Sequence, residues 1–418
     1  MPPPKVLLPG FFGPKFWVLI GAQRSYETRA LEMAFSSVMM RLKTPRFYNF
    51  AQAIGWRVRK FLGNTDLLPN YVTGCPSCFH DQGLKLLASK TSIEMKGACP
   101  NCGSNGNKKL RMSELQYILH TFFIWGTYQK PTYGAYPAIQ ANEHQTTSVK
   151  FSDWLEPDVR LFEKWFGIGF FHYGPRFWMF GQVTPLEHLQ DINMRSDVIA
   201  RILVGYPVVD LPIDTIIYRI RKHPSDPGEP SEYDSPPIEM AGKCRLDSVG
   251  FPVMYASSDL QICIHECRIA AEDEIYVASL TPKRALRLLD LTNILTEEGV
   301  TEFESLDLAV HMLFLAGTHS YEITRAIAKR AHLAGFDGLI YPSFFSLLRT
   351  GTMPLMTTYG ISHRRIEMMH DSERSKMVPN VAIFGRPIAD GVLAARSLNR
   401  LMINSVEYHV HFGPVKFD

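Results

Sequence analysis

Two sets of residues in this sequence are of types and spacings that do chemistry. The first is Cys75-Pro-Ser-Cys78, followed after twenty intervening residues by Cys99-Pro-Asn-Cys102. Each pair forms a tight knuckle that offers two thiolates to one ion. Two knuckles complete a tetrahedral four-sulfur site, for which zinc is the default metal and an iron–sulfur cluster the rival. Gly74, Gly97 and Gly103 allow the turns that knuckles need. A site closed by four sulfurs keeps no open position, so its role is structural. His80 is the one alternative ligand close by. The second set lies between Gly242 and Arg268. There Arg245, Tyr255 and Glu266 are spread over a turn at Gly250-Phe-Pro252, an apolar run from Val253 to Ala256, and a following helix. The apolar run reads as a buried strand. Ser257 or Ser258 can cap the helix, whose inward face carries Ile262 and Glu266. A carboxylate on an apolar helix face is costly to bury unless it has a partner or a task.

The elements that must hold these residues follow from periodicity and punctuation. Ser25 precedes a helical stretch from Glu27 to Leu42 with Leu31, Phe35, Val38 and Met39 on one side. Helical periods recur at 112–125, with Ser113 as a cap, and at 156–166. Thr184-Pro185 marks another helix start. The aromatic residues between 112 and 203 lack interleaved basic residues, so they read as core and not as a base-stacking platform. Gly-Pro-Lys-Phe-Trp at 13–17 returns as Gly-Pro-Arg-Phe-Trp at 174–178, too far apart to signal a solenoid. After a boundary near Gly205 to Leu211, Thr215 to Arg221 is strand-like. His223 to Pro237 is a proline-rich loop of functional length. Strands follow at 274–280 and 286–291, then helices near 305–315 and from Ser320 to Ala334. Gly335 ends the last helix, a short strand runs into Ser343, and a late apolar strand spans 380–384. Many short strands with few helices predict an α+β fold, and no phosphate-binding glycine fingerprint supports a Rossmann unit. The chain divides at this level into 1–110 with a zinc ribbon at 70–107, a mainly helical aromatic region at 111–205, and a catalytic domain at 206–418.

Composition bounds the partners. Hydrophobic content of 46% and charged content of 20% over 418 residues describe a globular protein of two or three domains. A net charge of +3 does not argue for nucleic acid. The charge is uneven, however. Before position 61, Lys5, Lys15, Arg24, Arg29, Arg41, Lys43, Arg46, Arg57, Arg59 and Lys60 face only Glu27 and Glu32, as a solvated face or a polyanion surface. Phe11 to Ile20 is too short and broken for a membrane span, and it lacks the layout of a signal peptide. Seven cysteines, four of them in two tight pairs, predict metal in a reducing cytoplasm and not a disulfide framework.

Tyr218-Arg219-Ile220, Arg245, Pro252-Val-Met-Tyr255-Ala-Ser, Glu266 and Asp337-Gly-Leu-Ile-Tyr-Pro-Ser343 occur in that order. The ordered set resembles the RES-domain family, named for its Arg, Glu and Ser, over about residues 215 to 390. The resemblance implies an ADP-ribosyltransferase-like domain behind a zinc-bearing extension. It implies an enzyme that consumes NAD, many relatives being toxins with a neutralising antitoxin. It matches Arg219 and Arg245 to the motif arginines, Tyr255 to the tyrosine, Glu266 to the glutamate and Ser343 to the serine. Two features depart from the family pattern: a longer loop at 223–237, and Cys244-Arg245-Leu246 in place of Gly-Arg followed by an aromatic residue. Both bear on substrate access more than on chemistry.

The residue types suit that reaction. Breaking the nicotinamide–ribose bond passes through an oxocarbenium-like state, and its leaving group is already a cationic pyridinium. Glu266 can stabilise the developing charge or orient a nucleophile. Arg219 and Arg245 supply planar, permanent charge for a pyrophosphate. Tyr255 can stack on a flat ring, and Ser343 can donate to ribose or phosphate. Each has a structural alternative: Glu266 in a surface pair with Arg268, Arg245 capping a helix end, Tyr255 in the core, Ser343 in a turn. Cys244, Cys263 and Cys267 read as buried small residues. The expected activity is NAD glycohydrolase or phosphorylase, with water or phosphate as acceptor. The rivals are an ADP-ribosyltransferase acting on a protein or nucleic acid, and a zinc-ribbon binding protein with an inactive RES-like domain.

Overall fold

Alternating and helical periods of the kinds above fix most elements of the computed structural model, which describes residues 71–130, 132–173, 183–358 and 361–418. The expected helix at 27–42, the basic residues up to Lys60 and both Gly-Pro-basic-Phe-Trp stretches, at 13–17 and 174–178, lie outside the described residues. The described residues form two units, one within 71–128, 137–173 and 410–418, the other within 129–136 and 183–409.

In the first unit, β1 (Val72–Gly74), β2 (Ile93–Glu94) and β3 (Lys108–Arg111) form an antiparallel sheet in the order β1–β3–β2. Helix α1 (Gln82–Thr91) starts at Asp81, whose side chain accepts from the Leu84 N–H. Helix α2 (Met112–Leu119) is capped differently from the expected Ser113. Glu114 reaches back to the Arg111 N–H at 2.9 Å and grips the Arg111 guanidinium, so the cap position is Arg111, and Ser113 only donates to Glu114. Two further strands, β4 (Ile139–Asn142) and β5 (Gly169–His172), pair antiparallel. Helix α3 (Glu156–Phe166) ends on Gly167 at φ +61°, where a left-handed residue closes the last turn. Phe122, Phe123, Phe162 and Phe170 are core, as expected, while Trp154 is exposed and Phe177 and Trp178 lie outside the described residues. Phe123 is buried with its ring 4.7 Å from Phe170 and 5.4 Å from Phe162.

The second unit is built on two sheets. Its main elements, in order, are α4 (Thr184–Gln190), α5 (Arg195–Gly205), β6 (Val208–Leu211), β7 (Ile217–Lys222), β8 (Val253–Ala256), α6 (Leu260–Glu266), β9 (Ile275–Pro282), β10 (Leu286–Asp290), α7 (Leu306–Leu315), α8 (Tyr321–Leu333), β11 (Gly338–Pro342), β12 (Pro379–Phe384) and β13 (Leu393–Leu401). One sheet runs β8–β12–β11–β10–β6 and the other β13–β9–β7. All pairs are antiparallel except β10 with β11. That parallel pair needs a long crossover, and α7 and α8 supply it. Helix α7 is buried from Leu306 through Phe314, so it is apolar on nearly every face. A single bridge between Tyr218 and Ser257 stitches β7 to the residue after β8. With many short strands and few helices, this is the α+β architecture read from the sequence.

The cap of α6 differs from the sequence expectation. Asp259, not Ser257 or Ser258, accepts from the Ile262 N–H, at 3.0 Å. The Ser257 backbone is spent on the bridge to Tyr218, and its hydroxyl donates to the Pro379 carbonyl. Ile262 is buried as expected, but Glu266, the last helical residue, is exposed.

Candidate functional site

The two cysteine knuckles converge. The sulfurs of Cys75 and Cys78 lie 3.9 Å apart, Cys75 and Cys102 3.6 Å, and Cys78 and Cys99 3.5 Å. All four fall within 4.8 Å of one another. A tetrahedron with metal–sulfur bonds of about 2.3 Å has edges of roughly 3.8 Å, so the cluster is already the size of a four-thiolate metal site. Backbone and side-chain donors support it: the Cys75 N–H and the Asn101 amide both reach Cys78 Sγ at 3.4 Å. Gly103 sits at φ +72° in the second knuckle, a conformation that L side chains resist. His80 is not a ligand. Its ring faces the Trp154 carbonyl at 3.1 Å, and its backbone N–H donates to Asp158.

The second constellation is gathered in the other unit. Glu266 Oε1 accepts from the Ser343 hydroxyl and from the Asn380 amide, each at 2.6 Å. Ser343 directly follows β11, and its N–H is tied to the Val378 carbonyl at 2.9 Å. Asn380 lies on β12. Both donors are buried, at 2% and 3% exposure, while the carboxylate they hold is exposed. Among the described residues nothing bonds Oε2, so one carboxylate oxygen is clamped and the other is open to a ligand.

Both arginines are engaged elsewhere. Arg219 is buried on β7 and donates to the carbonyls of Tyr255 at 2.6 Å and Asp234 at 3.0 Å. Its Nε is buried with no partner among the described residues. Burial, and then the neighbouring Arg221 charge, push the guanidinium down to about 9. Arg221 also donates to the Asp234 carbonyl and to that of Glu232, so the two arginines strap the 223–237 loop. The Asp234 carboxylate anchors the same loop on the Ile388 and Ala389 N–H groups. Arg245 is buried at 9% exposure and donates to the Ala316 carbonyl at 2.8 Å, beyond the last turn of α7. Its guanidinium lies 5.0 Å from the Tyr321 ring centre. This is the helix-end role that its residue type also allowed.

Tyr255 holds the turn that presents Arg245. Its hydroxyl accepts from the N–H groups of Leu246 and Asp247 and donates to the Asp247 carboxylate. That buried carboxylate accepts three further N–H bonds, from Gly242, Lys243 and Cys244. Gly242 sits at φ +109°, and a Cβ there would come 3.0 Å from the Val249 nitrogen. Of the three remaining cysteines, Cys263 is buried and Cys267 half-buried, while Cys244 is exposed, against expectation, at the surface of this turn. Burial pushes the Cys263 thiol up to about 12 and raises that of Cys267, so neither offers a thiolate nucleophile.

The structure therefore brings Glu266 and Ser343 together and keeps Arg219, Arg245 and Tyr255 bound to backbone groups. It adds Asn380, Asp247, Asp234 and Arg221, which the sequence reading did not single out. Asn380 had one signal, a polar residue opening an otherwise apolar strand. Asp247 had another, an acid two residues after the motif arginine.

Residues 216–352 match the family model described as RES domain. One solved structure, the M. tuberculosis MbcT-MbcA toxin–antitoxin complex, is similar at 14% identity. The match covers 49% of this chain and 92% of that chain, with a TM-score of 0.29, too low to carry its properties across. Comparison with curated proteins gives no match. Among the described residues no helix is long and apolar enough to cross a membrane.

Proposed function

We propose that this chain, through its RES domain, consumes NAD by cleaving the nicotinamide–ribose bond, with water or phosphate as acceptor. The observation that carries the reading is the Glu266 carboxylate with one oxygen clamped by Ser343 and Asn380 and the other open. In the reaction the bond between ribose C1′ and the pyridinium nitrogen breaks. The electron pair stays on nicotinamide and neutralises it, leaving positive charge on the ribose. Glu266 faces that charge, and an acceptor oxygen then bonds to C1′, with its proton passing to solvent where the acceptor is water. Ser343 has its hydroxyl hydrogen on Glu266, so it shapes the carboxylate first and meets ribose through its lone pairs. Arg219, Arg245 and Tyr255 hold backbone segments of this unit in place. The terminal nitrogens of both arginines are held by backbone carbonyls, and the Arg219 Nε has no partner among the described residues.

In the same reading the chemistry lies in 206–418, and the segments 1–110 and 111–205 supply no catalytic side chain. Zinc is the ion held by Cys75, Cys78, Cys99 and Cys102, in a structural role. The protein acts in the cytoplasm as a toxin or defence effector, restrained by a neutralising protein partner. The test is incubation of purified protein with NAD, with and without phosphate, and identification of the products. Glu266→Gln should cut turnover by about a hundred- to a thousandfold, the usual cost of one such electrostatic contact, with NAD affinity little changed. Near-wild-type turnover in this variant refutes the reading. An ADP-ribosylated macromolecule among the products moves the acceptor from water or phosphate to that molecule.

A further inference from the structure

We infer that Asn380, outside the matched segment 216–352, is the positioning residue that fixes which oxygen of Glu266 meets the substrate. The inference rests on the reading of Glu266 as the carboxylate that faces the ribose. Glutamate has three rotatable bonds, and this one stands exposed at the last position of a seven-residue helix. Left alone, it would exchange its two oxygens freely. Ser343 and Asn380 hold the same oxygen from two directions, which leaves a single orientation for Oε2.

The strand register explains why Asn380 can do this. It lies directly opposite Tyr341 in the antiparallel pair β11–β12. The Tyr341 side chain is buried beside it. A carboxylate only accepts, so the amide nitrogen is the group on Glu266. The result is two donors on Glu266 Oε1, the Asn380 amide from one strand and the Ser343 hydroxyl from the end of another. The next four residues of β12, Val381 to Phe384, are all buried and apolar. Core packing at position 380 alone would be met by another aliphatic side chain. A buried amide is costly unless it is hydrogen-bonded, and here its nitrogen is held by Glu266.

The experiment is a double-mutant cycle on full-length protein. Asn380→Leu keeps the volume and removes the donor, and it is measured in the wild-type and Glu266→Gln backgrounds, with melting temperature recorded for each. In the wild-type background turnover should fall about ten- to a hundredfold, the worth of a hydrogen bond to a charged group, while KM for NAD stays within about twofold. In the Glu266→Gln background the same change should cost less than about twofold, because the residue acts through the charge already removed. Asn380→Ala, which removes the same donor with a smaller side chain, should give a loss in the same direction. It also carries the cycle if Asn380→Leu does not fold. Equal losses in both backgrounds, or losses that track melting temperature, overturn the inference and make Asn380 a packing residue. A wild-type protein that neither binds nor consumes NAD overturns the underlying reading of Glu266. An active wild type with an additive cycle overturns the role of Asn380 alone.

Discussion

Arg245→Met separates a ligand-binding arginine from one that holds the fold. In the structure the guanidinium donates to the Ala316 carbonyl at 2.8 Å, with longer contacts to the Leu313 carbonyl at 3.5 Å and the Ser320 hydroxyl at 3.4 Å. It also lies over the rings of Tyr321 and Phe314. Methionine fills much of the same volume but leaves the carbonyls at the end of α7 without a donor. One short bond from a charged donor is worth about 1.5–3 kcal/mol, and the ring contacts add roughly 0.5–1 kcal/mol. The favourable placement of a cation at a helix C-terminus contributes in the same direction. The residue is 9% exposed, so solvent screening reduces this little. A loss of about 3 kcal/mol lowers the melting temperature of a unit of this size by roughly 6–12 °C. Arg245→Lys keeps the charge and one carbonyl bond and should lose less than Met. The assay is thermal unfolding followed by circular dichroism, with NAD titrated calorimetrically well below the transition. A melting temperature within about 2 °C of wild type, with NAD affinity down tenfold or more, refutes the helix-end role and returns Arg245 to the pyrophosphate.

Two further outcomes are expected. Metal analysis should find about one zinc per chain, as a four-sulfur site requires. Replacing Cys75 and Cys99 together with serine should remove it and lower the stability of the first unit; stoichiometric metal in that variant contradicts the assignment. His311 gives a pH signature. It is buried, its Nε2 faces the Pro354 carbonyl at 2.8 Å, and burial, then the Arg364 charge, push its pKa down to about 4. The folded state therefore holds it neutral while the unfolded chain protonates near the ordinary value of 6.5. Its contribution is present in full above about pH 6.5 and is lost as pH falls toward 4, by about 3 kcal/mol. Urea titrations across that range should show this slope, and His311→Asn should flatten it. An unchanged slope in the variant assigns the acid sensitivity to other groups.

Local patterns were legible where the deciding partners are close in sequence. The β8 strand, the glycine stop at Gly335 and the paired cysteines needed only neighbours within a turn or two. The cap of α6 did not yield to the same reasoning, because Ser257 is claimed by Tyr218, a residue of a different strand. The motif arginines show the limit more sharply. A guanidinium makes the same demand on a carbonyl oxygen as on a phosphate oxygen, so residue type alone left both uses open. What decides is a carbonyl 71 residues further along for Arg245, and one 15 residues further along for Arg219. Glu266 and Ser343 were named because their types fit one reaction, although 77 residues separate them. Asn380, 114 residues from Glu266, carries no such chemistry of its own. An amide does not ionise and is seldom a nucleophile, so a search for reactive types passes over it. Its importance arises only when the β11–β12 register sets it beside Tyr341 and under the carboxylate. Reactive groups are thus visible in a sequence before the groups that aim them. For this chain the aim comes from a strand that begins 27 residues after the end of the matched segment.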